Sequence, residues 1–163
     1  MSTSTSSILN GLTTGTWAID PTHSEVGFVV RHLAVSKVKG RFHKFEATIE
    51  IAENVLESTV NATVETASVS TNDAQRDGHL LSGDFFEQEK YPNLSFTSTA
   101  IRPKGNDYEL VGNLTIKDVT KEVVLDLEFG GTETDPWGGT RLGFTAETEI
   151  NRKDFGMEFN MVL

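Results

Sequence analysis

Apolar side chains recur at every second position along most of this chain, and this constrains its fold more than any other feature. In the stretch His23–His32, Val26, Phe28, Val30 and His32 share one parity. Glu25, Gly27 and Arg31 share the other, with Val29 the exception. Successive strand side chains point to opposite faces, so such a segment has one mostly apolar face and one mostly polar face. The pattern returns at Val60, Ala62 and Val64, at Tyr108, Leu110, Leu114 and Ile116, and at Val123, Leu125, Leu127 and Phe129. It appears again at Leu142, Phe144, Ala146 and Ile150. A sheet with a continuous apolar face and no helices to cover it packs on another sheet or closes on itself. Closure makes a barrel, and an apolar interior can hold an apolar ligand.

The spacing predicts strands at about 16–20, 24–33, 36–52, 58–69, 94–102, 108–116, 119–129 and 140–150, with a last one over 157–162. The stretch 36–52 is long for one strand, and Gly40 inside it suggests a bend. The period breaks once. Asn72 as N-cap, with Gln75 in the capping-box position, predicts a short helix over Asp73–Leu81. Phe85 and Phe86 follow in a loop and are expected to plug the apolar interior. Pro103 is expected to stop its strand, KGND at 104–107 to form a hairpin turn, and Lys117-Asp118 to form another. The glycine-rich segment 130–139 reads as a mobile loop. Short turns favour antiparallel neighbours, and about eight strands suit a small ligand-holding barrel.

At 163 residues the chain is long enough for one domain. That domain is expected over 15–163, after a Ser- and Thr-rich disordered tail at 1–14. The formal charge of −10 repels phosphate backbones and anionic surfaces, which argues against nucleic-acid binding. The absence of cysteine removes thiolate nucleophiles, disulfides and Cys-ligated metals. The four histidines lack ligand spacing, so no metal is expected. Neither phosphate-loop motif nor a G-x-S-x-G nucleophile motif occurs. No signal peptide or membrane span is apparent, and a cytoplasmic location without stable membrane insertion is expected.

Six motifs stand in order. W-x-I-D-P-x-H-S spans Trp17–Ser24, V-x-F-x-V-x-H spans Val26–His32, and V-x-G-x-F-x-x-F spans Val38–Phe45. R-D-x-H-L occupies Arg76–Leu80, with D-F-F at Asp84–Phe86 and Y-P at Tyr91-Pro92. G-x-L-T-I-K with V-T-K covers Gly112–Lys121, and R-K-D-F-G covers Arg152–Gly156. In these motifs the chain resembles the YceI-like family of polyisoprenoid-binding proteins over about 16–163.

The resemblance implies an all-β fold: an extended, antiparallel, eight-stranded, lipocalin-like barrel with one short helix and an apolar tunnel. It implies a bacterial binding protein, not an enzyme, that takes a long-chain amphipathic lipid, an isoprenoid first, for storage, sequestration or transport. The bound isoprenoid or fatty chain replaces any cofactor, and a homodimer is possible for such a barrel. From periodicity alone a filled core is the simpler reading of the apolar faces, because inward residues of small barrels usually pack. The resemblance favours a tunnel lined by Val26, Phe28, Val30, His32, Phe42, Phe45, Phe85, Phe86, Phe96, Leu114, Leu125 and Phe144. Head-group candidates are Arg76, Asp77, His79 and Arg152, since an Arg fork suits phosphate. Three of them also have a structural alternative: a solvated or capping role for Arg76 and Asp77, and an ion pair with Asp154 for Arg152. The entrance is expected to be gated by the loops near 71–92 and 130–139. The rival readings are an enzyme acting on a small apolar substrate, with His32 and Asp77 as acid and base, and an interaction module with a filled core.

Overall fold

A computed structural model describes residues 2–10, 15–20, 23–32, 36–134, 136 and 140–157. Within these, the side chains of 2–10, 15, 16, 31, 32, 36, 129–134 and 140–142 are not described. Among the described residues the chain is all-β with one α-helix. The strands are β1 (Ser2–Asn10), β2 (Gly15–Ala18), β3 (Glu25–His32), β4 (Ser36–Phe42), β5 (Phe45–Ile51), β6 (Thr59–Glu65), β7 (Val69–Ser70), β8 (Asn93–Lys104), β9 (Asp107–Ile116), β10 (Val119–Thr134) and β11 (Thr140–Glu149). The helix α1 is Ala74–Leu80. All strand pairs are antiparallel, in the order β2-β5-β6-β8-β9-β10-β11-β1-β3-β4-β7.

The order has two ends, yet the sheet curls back on itself. β4 and β5 are halves of one bent strand, separated only by His43 and Lys44. On one side, β4 pairs with β7 and β5 with β6. The bend between them is bridged by His43 N–H donating to the Ser68 carbonyl (3.2 Å) and Glu65 N–H donating to the Lys44 carbonyl (3.0 Å). On the other side, β4 pairs with β3 and β5 with β2. The same bent strand therefore stands at both ends of the curl, which encloses the buried apolar side chains of the described strands.

The eight strands expected between 16 and 150 become eleven among the described residues for three reasons. The segments expected as single strands at 36–52 and 58–69 each break in two. The break in the first is at His43–Lys44 and not at Gly40. Gly40 instead makes room for an aromatic ring, since a Cβ there would run into the Phe28 side chain. The third difference is at the N-terminus. Residues 1–14 were expected as a disordered tail, but Ser2–Asn10 forms β1, paired with β11 on one side and β3 on the other. Its Ser/Thr-rich composition reads as disorder, but a strand between two partners has its backbone hydrogen bonds met regardless of side chain. Residues 11–14 lie outside the described residues, as does the expected last strand beyond Met157.

Three boundaries also move. The helix is capped one residue later than expected. Asp73 accepts from the N–H groups of Gln75 and Arg76 (3.1 Å each), and Asn72 takes a left-handed φ of 63° outside the helix. β8 runs through Pro103 to Lys104, because β6 pairs with β8 only as far as Thr97 and no neighbouring strand calls on the missing N–H. β10 continues to Thr134 past a register shift between Phe129 and Gly131, so the first half of the expected loop 130–139 is strand. The hairpin at 104–107 forms as expected, with Gly105 supplying a φ of 60°.

A candidate apolar ligand cavity

Inward side chains gather into two packed clusters, one toward each end of the curl. The first joins Phe28, Phe42, Val69, Phe86, Ile116, Ile150, Phe155 and Met157. Its rings meet directly: the centroids of Phe28 and Phe42 are 5.7 Å apart, and those of Phe42 and Phe86 are 5.8 Å apart at 72°. The second joins Trp17, Ile49, Ile101, Leu110, Leu125, Leu127, Phe144 and Ala146.

Between them lies a cavity of about 90 Å³. Its walls come from β3, β5, β6, β8, β9, β10 and β11, and its lining is apolar except for Glu46 and Thr148. The void has a local cause. Ala47 on β5 is the direct cross-strand partner of Ala62 on β6, and Ala62 in turn faces Phe96 on β8. Two methyl groups stand where flanking positions carry Phe45, Ile49, Val60 and Val64, so the wall is thin there. The Phe96 ring does not fill the space, because it lies over Gly112. A Cβ on Gly112 would come within 2.5 Å of its Cζ and 2.6 Å of the Thr97 carbonyl oxygen.

Of the residues expected to line a tunnel, Val26, Phe45, Phe96, Leu114, Leu125 and Phe144 line this cavity. Phe28, Phe42 and Phe86 do not. They are buried in the first cluster, with Val30 and Phe85 packed against it. The side chain of His32 lies outside the described residues. Among the described residues the apolar space is a cavity bordered by members of both packed clusters. The lining residues missed from the sequence include Ala47, Ala62 and Ala146. Their signal was legible as small residues on an inward parity of otherwise large ones.

The segment 71–92, expected as a gate, is pinned at several points. Thr66 donates its N–H and its hydroxyl to the Pro92 carbonyl (2.9 Å each). Phe86 N–H donates to Leu80 O and Gln88 N–H to Leu81 O (2.9 Å each). Phe86 itself is 3% exposed.

The head-group candidates sit in this segment or beside it, bonded to protein groups. Asp77 Oδ1 accepts from the N–H (2.8 Å) and the hydroxyl (2.5 Å) of buried Thr71. Arg76 donates from Nε to the Thr71 hydroxyl and from Nη2 to the Thr71 carbonyl, both at 2.8 Å. His79 Nε2 and Asp84 Oδ2 are 2.8 Å apart. Arg152 donates to the Met157 carbonyl (2.7 Å) and stacks over Phe85, and does not pair with Asp154 as expected. The R-D-x-H-L motif thus ties α1 to the residue following β7. None of these four side chains lines the cavity. No helix among the described residues is long and apolar enough to cross a membrane.

The comparisons agree with this architecture. The model of the YceI-like domain matches residues 17–163. The chain is 43% identical to a YceI protein of Escherichia coli over 140 residues, which cover 85% of this chain and 73% of that one. It is likewise 43% identical to a YceI protein of Salmonella newport over 136 residues, covering 83% and 71%. Among solved structures, the YceI protein of Campylobacter jejuni superposes with a TM-score of 0.69 at 37% identity, over 84% of this chain and 81% of that one. BcnA of Burkholderia cenocepacia, at 17% identity and a TM-score of 0.60, shares the fold. With its motifs, curled antiparallel sheet and these matches in accord, the chain belongs to the YceI-like domain family.

Proposed function

We propose that the protein binds an apolar or amphipathic chain molecule inside the barrel, for storage, sequestration or transport, and does no covalent chemistry on it. The observation that carries this reading is the interior cavity with its almost wholly apolar lining. Binding there is driven by removal of apolar surface from water, about 25 cal/mol per Å². A polyisoprenoid or long fatty chain that occupies this space displaces side chains at its border. Phe45 and Phe96 are the half-buried rings that border the space. The enzyme reading is disfavoured by Asp77, whose carboxylate is engaged by Thr71 and is absent from the cavity wall.

The test couples extraction of natively purified protein, read by mass spectrometry, with uptake of a fluorescent fatty probe by the protein and by Ala62→Leu. The wild type is expected to yield a chain lipid and to take up probe. Ala62→Leu adds three carbons at the thin wall and is expected to lose most of that uptake. No lipid together with no uptake, or equal uptake by both proteins, refutes the proposal.

A further inference from the structure

The net charge of −10 conceals a segregation of charge along the chain. Between Glu25 and Glu46 there is no Asp or Glu, while Arg31, Lys37, Lys39, Arg41 and Lys44 supply five of the fourteen Lys and Arg residues. The fold puts these residues on one face. On β4 the parity of Val38, Gly40 and Phe42 turns inward. Lys37, Lys39 and Arg41 therefore stand on the outer face and are exposed, as is Lys44 at the bend. Spaced two residues apart, the three on β4 follow one another at about 7 Å along the strand. Arg31 on β3 is the cross-strand partner of Lys37, and like charges set opposite each other cost stability. Arg41 meets Glu25 at 3.4 Å, but Lys37, Lys39 and Lys44 make no ion pair among the described residues.

The register shows how far off the compensating acids lie. Across the sheet, Arg41 is followed on successive strands by Gly27, Ser4, Glu147, Asp126 and Glu109. The row through Lys39 continues with Val29, Ser2 and Glu149. Two uncharged positions thus separate the basic strand from an acidic face on β11, β10 and β9. Three strand spacings come to about 14 Å along the sheet, beyond the screening length of about 10 Å at 0.1 M salt. At that ionic strength a surface facing β4 meets the positive stripe, with the acids of the far strands largely screened.

Deterring strand addition accounts for lysines on an outlying strand. It does not account for Arg31, on a strand with a partner on each side, nor for Lys44, which lies outside both flanking strands. Lysines are compact point charges on flexible stems and suit a fluid, spread-out negative surface, whereas a fixed phosphate or carboxylate site favours Arg forks. The wall behind the stripe is also the cavity wall: Val26, cross-strand partner of Phe42, and Phe45, directly after Lys44, both line it. A chain molecule held there exchanges with a lipid phase. We infer that the outer face of β3 and β4, from Arg31 to Lys44, is a docking surface for an anionic lipid bilayer, which holds the barrel reversibly at the membrane surface without insertion. The choice of a lipid surface rests on the interior-binding reading above, while the segregation of charge stands apart from it.

The experiment is cosedimentation with vesicles of phosphatidylcholine, alone or with about 30 mol% phosphatidylglycerol, at about 0.1 M and about 0.5 M salt. The wild type is compared with Lys37→Gln/Lys39→Gln/Lys44→Gln and with a control of equal net charge, Lys90→Gln/Lys121→Gln/Lys153→Gln, drawn from exposed lysines elsewhere. Each cation beside an anionic surface is worth about fivefold in partitioning, so the first triple variant should bind anionic vesicles about a hundredfold more weakly and the control within about threefold of wild type. Wild-type binding should vanish on pure phosphatidylcholine and at the higher salt, two arms that need no variant to fold. The inference is overturned by a wild type that does not sediment with anionic vesicles at the lower salt, or by equal weakening in both triple variants. It is also overturned by pelleting without vesicles, the mark of self-association between basic and acidic faces, or by retention on polyglutamate beads in preference to vesicles, the mark of an acidic protein partner. Uptake of a fluorescent fatty probe is read on the same samples. Uptake without docking overturns the docking surface and leaves interior binding standing; docking without uptake overturns interior binding alone.

Discussion

Replacing Phe86 by alanine separates a structural plug from a moving gate. The ring is 3% exposed and packs edge-on against Phe42 within the first cluster. Truncating such a ring removes its transfer free energy and leaves a cavity, for about 3–5 kcal/mol in total. The edge-on contact with Phe42 accounts for about 0.5–1.5 kcal/mol of that. For a chain of this length, 1 kcal/mol shifts the melting temperature by about 2–4 °C, so Phe86→Ala should lower it by about 6–20 °C. Urea titration followed by far-UV circular dichroism gives the free energy directly, with an unchanged m value as the check that the folded state stays compact. A double-mutant cycle with Phe42→Ala should return a coupling of ring-pair size. A segment that swings open in the native state contributes little to global stability. A loss below about 1 kcal/mol in Phe86→Ala therefore refutes the plug and restores the gate.

Two further outcomes follow from the same geometry. Asp77→Ala strands the N–H and hydroxyl of buried Thr71 and should cost about 2–3 kcal/mol by urea titration, with Asp77→Asn recovering part of it through its remaining acceptor; a loss within 0.5 kcal/mol would show that water replaces the carboxylate. Gly112→Ala should destabilise by about 1–3 kcal/mol, and Phe96→Leu in that background should restore only part, because the Thr97 carbonyl still opposes the new methyl; full rescue would place the whole clash on the ring.

Alternation carried most of the fold because its period survives wherever one face of a strand is buried. β3, β6, β9, β10 and β11 lie within a few residues of where the apolar residues put them. It failed where backbone pairing decides the outcome. Nothing in the side chains of Ser2–Asn10 distinguishes a strand held between β3 and β11 from a solvated tail. Nor does the sequence say whether Gly40 bends a strand or admits a ring, since both need the same missing Cβ. The Phe28 ring decides it, and Phe28 is twelve residues away in the chain.

The cavity was half legible for a related reason. Large inward residues announce an apolar interior, but they fill space, and a void is written in the small ones. Ala47 and Ala62 are conspicuous only once register sets them opposite each other. The partners of the polar motifs were likewise hidden in the sequence. Arg76, Asp77, His79 and Arg152 have the chemistry of head-group binders, and only the distances reveal that these groups are bonded to Thr71, Asp84 and Met157.

The way the curled sheet ends bears on how copies of this chain meet in solution. Its terminal strands are β2, of four residues, and β7, of two. An exposed strand edge is a template for another chain in proportion to its length, and long flat edges seed fibrils and runaway strand addition. These edges offer a foreign strand only a few backbone hydrogen bonds before the sheet curves away. Among the described residues, these two terminal strands are therefore poor templates for strand addition through the backbone.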